Sequence, residues 1–305
     1  MSRYIGVDVG GTKVAAAVLE DGRLGESRLH PTELSSPDAL VDQLAEIIED
    51  HLPADAVGIG VPSVVDFATG TARSSVNVPL ERVPLRKILR KRLGLPVFVD
   101  NDATLAAVAE AHGPDGKADV RHLVMLTVGT GVGGGIIIDG RVYRGATGAA
   151  AELGHIIIGA DLASGAPDPA GFPQPGSLES LSAGRVLDAL GNDRGFADGP
   201  AVVEAAKHGD ENALECLRIL GERLGIGIAN IVNTLEPDVV AVGGGAGSAA
   251  GELLLHPARE TAERFMLRGV GTKTEIRVAR HGPEAGVLGA ALMAGQELVL
   301  EQGSP

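Results

Sequence analysis

A chain of 305 residues exceeds what one hydrophobic core comfortably organises, so two domains with separate cores are expected. A formal net charge of −14 and a pI near 5.0 set an acidic surface against a phosphate backbone, which disfavours nucleic acid as a partner. Cys216, the single cysteine, excludes an internal disulfide framework and a cysteine-built zinc cage.

No apolar run approaches the roughly 20 residues that a membrane span needs. The N-terminus enters a strand-like segment directly, without a signal peptide's apolar stretch, so a cytoplasmic protein is the expectation. Aromatic residues are only 2%, which leaves Val, Leu, Ile and Ala to fill the cores. Glycine, at 44 residues, is about twice its usual share of roughly 7% and gathers in a few clusters.

In chain order, Tyr4 to Asp8 and Val14 to Glu20 read as a hairpin around Gly10-Gly11-Thr12-Lys13, with Arg23 to His30 as a third strand after the Asp21-Gly22 turn. Leu40, Leu44, Ile47 and Ile48 recur at helical spacing between Pro37 and Leu52. The apolar run Ala56 to Val61 reads as a buried strand. A helix from about Pro84 to Leu93 leads to the strand Val97-Phe98-Val99, and Ala103 to Ala111 looks helical.

The stretch His112-Gly113-Pro114-Asp115-Gly116 is the candidate domain crossing. A second strand, turn and strand follow: His122 to Thr127, Gly129-Thr130-Gly131-Val132-Gly133, then Gly134 to Asp139. Both halves therefore open alike, which suggests two related α/β domains facing a cleft. Residues 159–176 read as a loop. Helices are expected at about Leu178 to Leu190, Pro200 to His208, Asp210 to Asn233 and Ala285 to Glu301, and a strand at Val239 to Val242 before Gly243-Gly244-Gly245. The division expected is a small domain over 1–112, completed by a C-terminal helix over 285–305, and a large domain over 113–284.

Three clusters suit a phosphorylated ligand. Asp8 stands at a strand end beside Gly10, Gly11, Thr12 and Lys13. Glycine lets backbone N–H groups approach phosphate oxygens, Lys13 adds charge, and Asp8 would help hold Mg²⁺ directly or through water. Thr127 to Gly135 forms a second such turn. It is not a P-loop, since no Gly-Lys-Ser/Thr follows, and Ile136-Ile137-Ile138 is strand-like where a dinucleotide fingerprint would start a helix. Gly243-Gly244-Gly245 would pack against a base or ribose. A hairpin turn with a capping Asp accounts for the first cluster alone, and ordinary turns for the other two; their joint occurrence in this order favours phosphate.

Asp100-Asn101-Asp102-Ala103 lies between a strand and a helix. Asp102 there can accept a proton from an attacking hydroxyl, and Asn101 can both donate and accept toward vicinal hydroxyls. Helix capping explains one of the three polar residues more readily than all three. Glu152, His155 and Glu179 offer polar groups suited to a sugar ring. For His155 a satisfied structural histidine competes with a ligand role, and zinc lacks the thiolates it prefers nearby.

Together these motifs resemble the ROK family (repressors, open reading frames, sugar kinases) of the sugar kinase/actin/Hsp70 superfamily, and most of all its bacterial glucokinases. The resemblance runs through Gly6 to Lys13, Gly58 to Pro62, Asp100 to Ala103, Leu126 to Gly135 and, most specifically, Gly140 to Gly148 with Glu152-Leu153-Gly154-His155. It implies two actin-like (ribonuclease H-like) α/β domains, each with a mixed central sheet, flanking a cleft. It implies transfer from ATP, with Mg²⁺, to the 6-hydroxyl of a hexose such as glucose, Asp102 being the catalytic base.

By the same resemblance Asp8, Gly10, Gly11, Thr12 and Lys13 meet the phosphates, and Thr130, Gly131 and Gly133 form the second phosphate turn. Gly243, Gly244 and Gly245 meet the adenosine end. Asn77, Asn101, Asp102, Glu152, His155 and Glu179 hold the sugar. Two departures stand out. Asn77 lies in Val76-Asn77-Val78-Pro79-Leu80 rather than the family's Asn-Leu-x-x-Trp. The family's cysteine cluster before the last Glu is replaced by Gly176-Ser177-Leu178-Glu179, so no structural zinc is expected.

The family's repressors carry a helix-turn-helix ahead of the kinase-like domains, whereas only Met1 to Ile5 precede the first motif here, so a kinase is expected over a repressor. A kinase for another hexose or N-acetylhexosamine, a polyphosphate-using glucokinase and a non-catalytic sugar sensor stay as alternatives. A homodimer is usual in the family.

Overall fold

The computed structural model describes residues 2–75, 77–113, 116–169 and 171–303. Pro114 and Asp115 of the expected domain crossing, Val76 beside Asn77, Ala170 of the 159–176 loop, and Ser304 and Pro305 lie outside the described residues. The chain divides into two compact units. One holds 1–121, 135–151 and 283–305; the other holds 122–134 and 152–282.

The first unit opens with β1 (Arg3–Val9) and β2 (Lys13–Glu20), an antiparallel hairpin with Asp8 opposite Ala15 and Val9 opposite Val14. The expected third strand over 23–30 is two short ones, β3 (Arg23–Leu24) and β4 (Arg28–Pro31). Both pair with β2, and Gly25 donates to Val18 O between them.

Helix α1 (Pro37–Glu49) starts at Ser36, whose hydroxyl accepts the Ala39 N–H, with Pro37 in the first turn. It buries Leu40, Leu44, Ile47 and Ile48, the periodic positions. Strand β5 (Ala56–Val61) is buried at all six residues and runs parallel to β1. A hairpin, β6 (Ser63–Asp66) with β7 (Thr71–Ser75), precedes α2 (Leu85–Leu93), which ends on Gly94 in the left-handed region at φ 71°. Strand β8 (Val97–Asn101) lies parallel to β5 and passes directly into α3 (Asp102–Glu110). The sheet order is β3-β2-β1-β5-β8, with β4 also on β2, so the sheet is mixed.

The second sheet begins with β9 (Leu123–Val128), β10 (Val132–Ile138) and β11 (Arg141–Val142); the division between units falls within β10. Helices α4 (Leu178–Ser182), α5 (Gly184–Asn192), α6 (Gly199–Lys207) and α7 (Glu211–Leu235) follow. Then come β12 (Val239–Gly243), α8 (Gly244–Ala250), α9 (Glu252–Phe265) and β13 (Glu275–Val278). The order is β11-β10-β9-β12-β13, again mixed, with β9, β12 and β13 parallel.

The last helix, α10 (Ala285–Gly303), belongs to the first unit. Its backbone lies directly on β1 and β5, because Cβ atoms on Gly6 and Gly58 would run into the carbonyls of Val287 and Ala290. The core of this unit is aliphatic, built from residues such as Ile5, Val7, Leu40, Leu44, Ile59 and Val99. Among the described residues no helix is long and apolar enough to cross a membrane.

Candidate active site

In the first unit, the turn between β1 and β2 is closed by Gly10 N donating to Lys13 O at 2.8 Å. Thr32 braces it from β4's end: its N–H donates to Thr12 O (3.1 Å) and its hydroxyl to Gly10 O (2.8 Å). Those bonds occupy carbonyls and leave Thr12 and Lys13 exposed. A Cβ on Gly11 would touch Asn77 Cβ at 3.5 Å, so the turn and Asn77 are neighbours.

Asp102 is the first residue of α3, and Asn101 is the N-cap: its side-chain oxygen accepts the Thr104 N–H at 3.1 Å. The three polar residues thus divide their work. Asn101 caps, with its amide nitrogen also donating to Ser63 O at 3.4 Å. Asp100 is buried and accepts from the Asn101 N–H and Arg144. Asp102, half-buried, accepts the Ala103 N–H at 2.8 Å through one oxygen.

Asp8 and Asp102 share one neighbourhood around Gly60, where a Cβ would lie 3.5 Å from Asp8 Oδ1 and 3.7 Å from Asp102 Cα. Burial, and then repulsion from Asp102, raise the Asp8 pKa from 3.8 to about 7. Gly286 leaves room at the other Asp8 oxygen, since a Cβ there would strike the carboxylate. A carboxylate flanked by Gly60 and Gly286 fits a divalent cation of the Mg²⁺ type, which takes one or two carboxylates and completes its shell with water and phosphate. Among the described residues no group of three or more His, Cys, Asp and Glu side chains is gathered for a metal.

In the second unit, Gly129 N donates to Gly131 O at 2.9 Å and closes the turn between β9 and β10. Thr130, at its tip, is exposed. Two residues from the α4–α5 region hold this turn. Glu179 Oε2 accepts the Val132 N–H at 2.8 Å, and Gly184 N donates to Gly129 O at 2.7 Å. The single helix expected over 178–190 is therefore broken at Ala183, whose backbone is extended, and the freed Gly184 N–H serves the turn. Gly184 is required by close approach, since a Cβ there would lie 2.7 Å from Gly129 O, and a Cβ on Gly131 would displace the Glu179 carboxylate.

Gly244, at φ 80°, backs onto Val128, and Gly245 N would lie 3.9 Å from a Cβ on Gly129. Gly243 is the last residue of β12 and Gly244 the first of α8, so the third glycine cluster adjoins the second turn. Beside them a cavity of about 510 Å³ is lined by Thr130, Leu187, Pro200, Val203, Gly245 and Ala246, among others. Its size is ordinary for a small-molecule site, and its walls are largely apolar.

Glu152 precedes a short 3-10 turn (Leu153–His155) that ends on His155, with His155 Nε2 3.9 Å from Glu152 Oε2. Gly154 lets this turn lie against β10, since a Cβ would strike Val132 O. The 159–176 loop is closed at its base: Ile158 and Gly159 donate to Gly176 O at 2.8 and 3.1 Å, and Leu178 N to Ile156 O at 2.8 Å. Ser177, buried there, caps α4. Phe172 reaches back so that its ring and that of His155 sit 5.2 Å apart at 42°. Main-chain bonds and a ring contact thus anchor this loop.

The sequence reading missed Thr32, Ser63, Phe172 and Gly184 as supports. Only Gly184 carried a local signal, a glycine inside an expected helix.

Two mixed-sheet units, each opening on a strand, a glycine turn and a strand, define the actin-like, ribonuclease H-like fold of the sugar kinases. The chain belongs to the ROK family, whose model matches residues 4–297. A glucokinase from Halalkalibacterium halodurans is 32% identical, aligned over 99% of this chain and 98% of its own. An N-acetyl-D-glucosamine kinase from Aliivibrio fischeri is 34% identical over 95% of this chain and 98% of its own. The crystal structure of a ROK family glucokinase from Streptomyces griseus, in complex with glucose and AMPPNP, superposes with a TM-score of 0.80 at 32% identity. It covers 97% of this chain and all of that one.

Proposed function

We propose that this chain is a sugar kinase that transfers the γ-phosphoryl group of ATP to the 6-hydroxyl of a hexose, with glucose as the preferred acceptor. The observation that carries this reading is the setting of Asp102: a half-buried carboxylate at a helix start, one oxygen on its own helix, next to Asp8 and the first glycine turn. Full-length relatives that are glucokinases, and a neighbour bound to glucose and AMPPNP, support it.

Asp102 accepts the proton of the sugar hydroxyl as its oxygen bonds to the γ-phosphorus. The bond between that phosphorus and the β–γ bridging oxygen breaks, and ADP leaves with the electron pair. Gly10, Gly11, Thr12 and Lys13 offer phosphate oxygens backbone N–H groups, the Thr12 hydroxyl and the Lys13 ammonium, and the turn of Thr130, Gly131 and Gly133 offers groups of the same kind. Asp8 would hold Mg²⁺, directly or through water, and the ion would supply positive charge to the phosphate oxygens of the bound nucleotide.

The cavity beside Gly243, Gly244 and Gly245 receives the adenosine end, its apolar walls suiting a flat base. Asn77, Asn101, Glu152, His155 and Glu179 orient the sugar. The enzyme is expected to act as a cytoplasmic homodimer.

A second acceptor class, N-acetylhexosamines, has its own support in the Aliivibrio relative, which is as similar as the glucokinase. Polyphosphate as donor is disfavoured by the net charge of −14, because a long anion needs a basic groove. The deciding experiment crosses glucose, mannose, fructose and N-acetylglucosamine with ATP, ADP and polyphosphate in a coupled assay. Turnover with ATP and glucose at the highest kcat/KM is the expected result. No turnover with any pair would leave a sugar sensor in its place.

A further inference from the structure

The Gly140–Gly148 segment has no role in the chemistry above, yet it carries an arginine deep in the first unit. The segment folds back on itself. Tyr143 N donates to Ile136 O (2.8 Å) and Ala150 N to Arg144 O (3.2 Å), with Gly145 at φ 67° and Gly148 at φ 87°. Gly148 lies so close to β6 that a Cβ would strike Val65 O, so the segment is pinned at both ends.

From this base Arg144 reaches Asp100, with Nε donating to Oδ2 at 2.8 Å; Asp100 itself is only 2% exposed. The guanidinium lies 3.5 Å from the centroid of the Phe67 ring. Its Nη2 stands 3.1 Å from Glu297 but is not aligned for a hydrogen bond, so that partner acts by charge and the Asp100 bond is the directional one. The other Asp100 oxygen accepts the Asn101 N–H at 2.9 Å. Asn101 then caps α3, and Asp102 follows as its first residue.

We infer that Arg144 is a positioning residue for the acceptor base, acting through Asp100 and the Asn101 backbone to fix where α3 starts. The inference rests on the kinase reading, in which Asp102 takes the proton. Without Arg144, Asp100 loses its guanidinium bond and its countercharge and keeps only the Asn101 N–H, and the strand-to-helix junction that aims Asp102 loosens. A small misplacement of a catalytic group costs rate far more than it costs substrate binding.

The test uses three variants of the full chain: Arg144→Met, Arg144→Lys and the double variant Asp100→Asn with Arg144→Met. Arg144→Met is expected to lower kcat at least about tenfold while the glucose KM changes less than about threefold, a split that general loss of structure would not produce. Hydrogen exchange at the Asn101 and Thr104 amides should quicken in the same variant. Arg144→Lys should recover part of kcat, since an ammonium reaches one carboxylate oxygen. The double variant removes the unpaired buried charge, so it should regain the wild-type melting temperature without regaining kcat.

A folded Arg144→Met enzyme with kcat within about twofold of wild type and unchanged amide exchange overturns the inference. So does a double variant whose kcat returns together with its stability. Wild-type protein with no turnover on any sugar and donor would instead sink the kinase reading, and amide exchange still reports whether Arg144 orders the junction.

Discussion

The Val132 N–H donates to Glu179 Oε2 at 2.8 Å, so a residue that sequence reading places at the sugar also holds the second glycine turn. Arg185 keeps the other oxygen, Oε1, at 3.3 Å. Losing a hydrogen bond to a charged acceptor costs about 1.5–3 kcal/mol. Glu179→Ala should therefore weaken AMPPNP binding about tenfold or more even without sugar, measured by calorimetric titration. Glu179→Gln keeps an acceptor for Val132 and should retain most of that affinity. Nucleotide affinity untouched by the Ala variant would limit Glu179 to the sugar.

Asp102→Ala should lower kcat by at least about a hundredfold, the low end for general base catalysis. Glucose and nucleotide affinities should stay near wild type, because the glycine turns and the other residues proposed to meet the sugar remain. A coupled assay paired with titration separates the two. Near-normal turnover by the variant would remove the base role.

The Asp8 carboxyl has its folded pKa raised from 3.8 to about 7 by burial and by Asp102. Between those values the folded state holds a proton that the unfolded chain releases, so stability falls as pH rises through that window. The loss is complete above pH 7 and is on the order of 4 kcal/mol. Asp8→Asn should therefore raise the melting temperature of the ligand-free protein at pH 8, and raise it less at pH 5. Equal shifts at both pH values would contradict the assignment. Activity should be lost in the same variant if Asp8 has the proposed Mg²⁺ role, because Asn is a poorer ligand for that ion.

Gly184→Val would bring a Cβ to 2.7 Å from Gly129 O, closer than real contacts allow, and push the second turn out of place. The ATP KM should rise several-fold, roughly as for loss of one to two hydrogen bonds, while glucose affinity measured without nucleotide changes little. Equal damage to both would point to general unfolding of the second unit.

Local patterning carried much of this fold. Ser36 before Pro37, and Leu40, Leu44, Ile47 and Ile48 at helical spacing, define α1 within one stretch of chain. The same holds for the two strand–glycine–strand hairpins, whose apolar strands flank each glycine turn in sequence. Helix α9 was legible but missed. Pro257 reads as a breaker, yet Leu254, Leu255, Ala258 and Ala262 keep helical periodicity around it.

The amino-acid order alone decided which residues are chemically able to act: carboxylates at strand ends, bare glycine turns, and a helix start at Asn101. Such features depend on neighbours a few positions apart. Only the tertiary structure decided how these groups are held, through Glu179 on Val132, 47 residues distant, and Arg144 on Asp100, 44 distant. Those bonds exist because docked elements bring donor and acceptor within about 3 Å, a condition that no local propensity encodes.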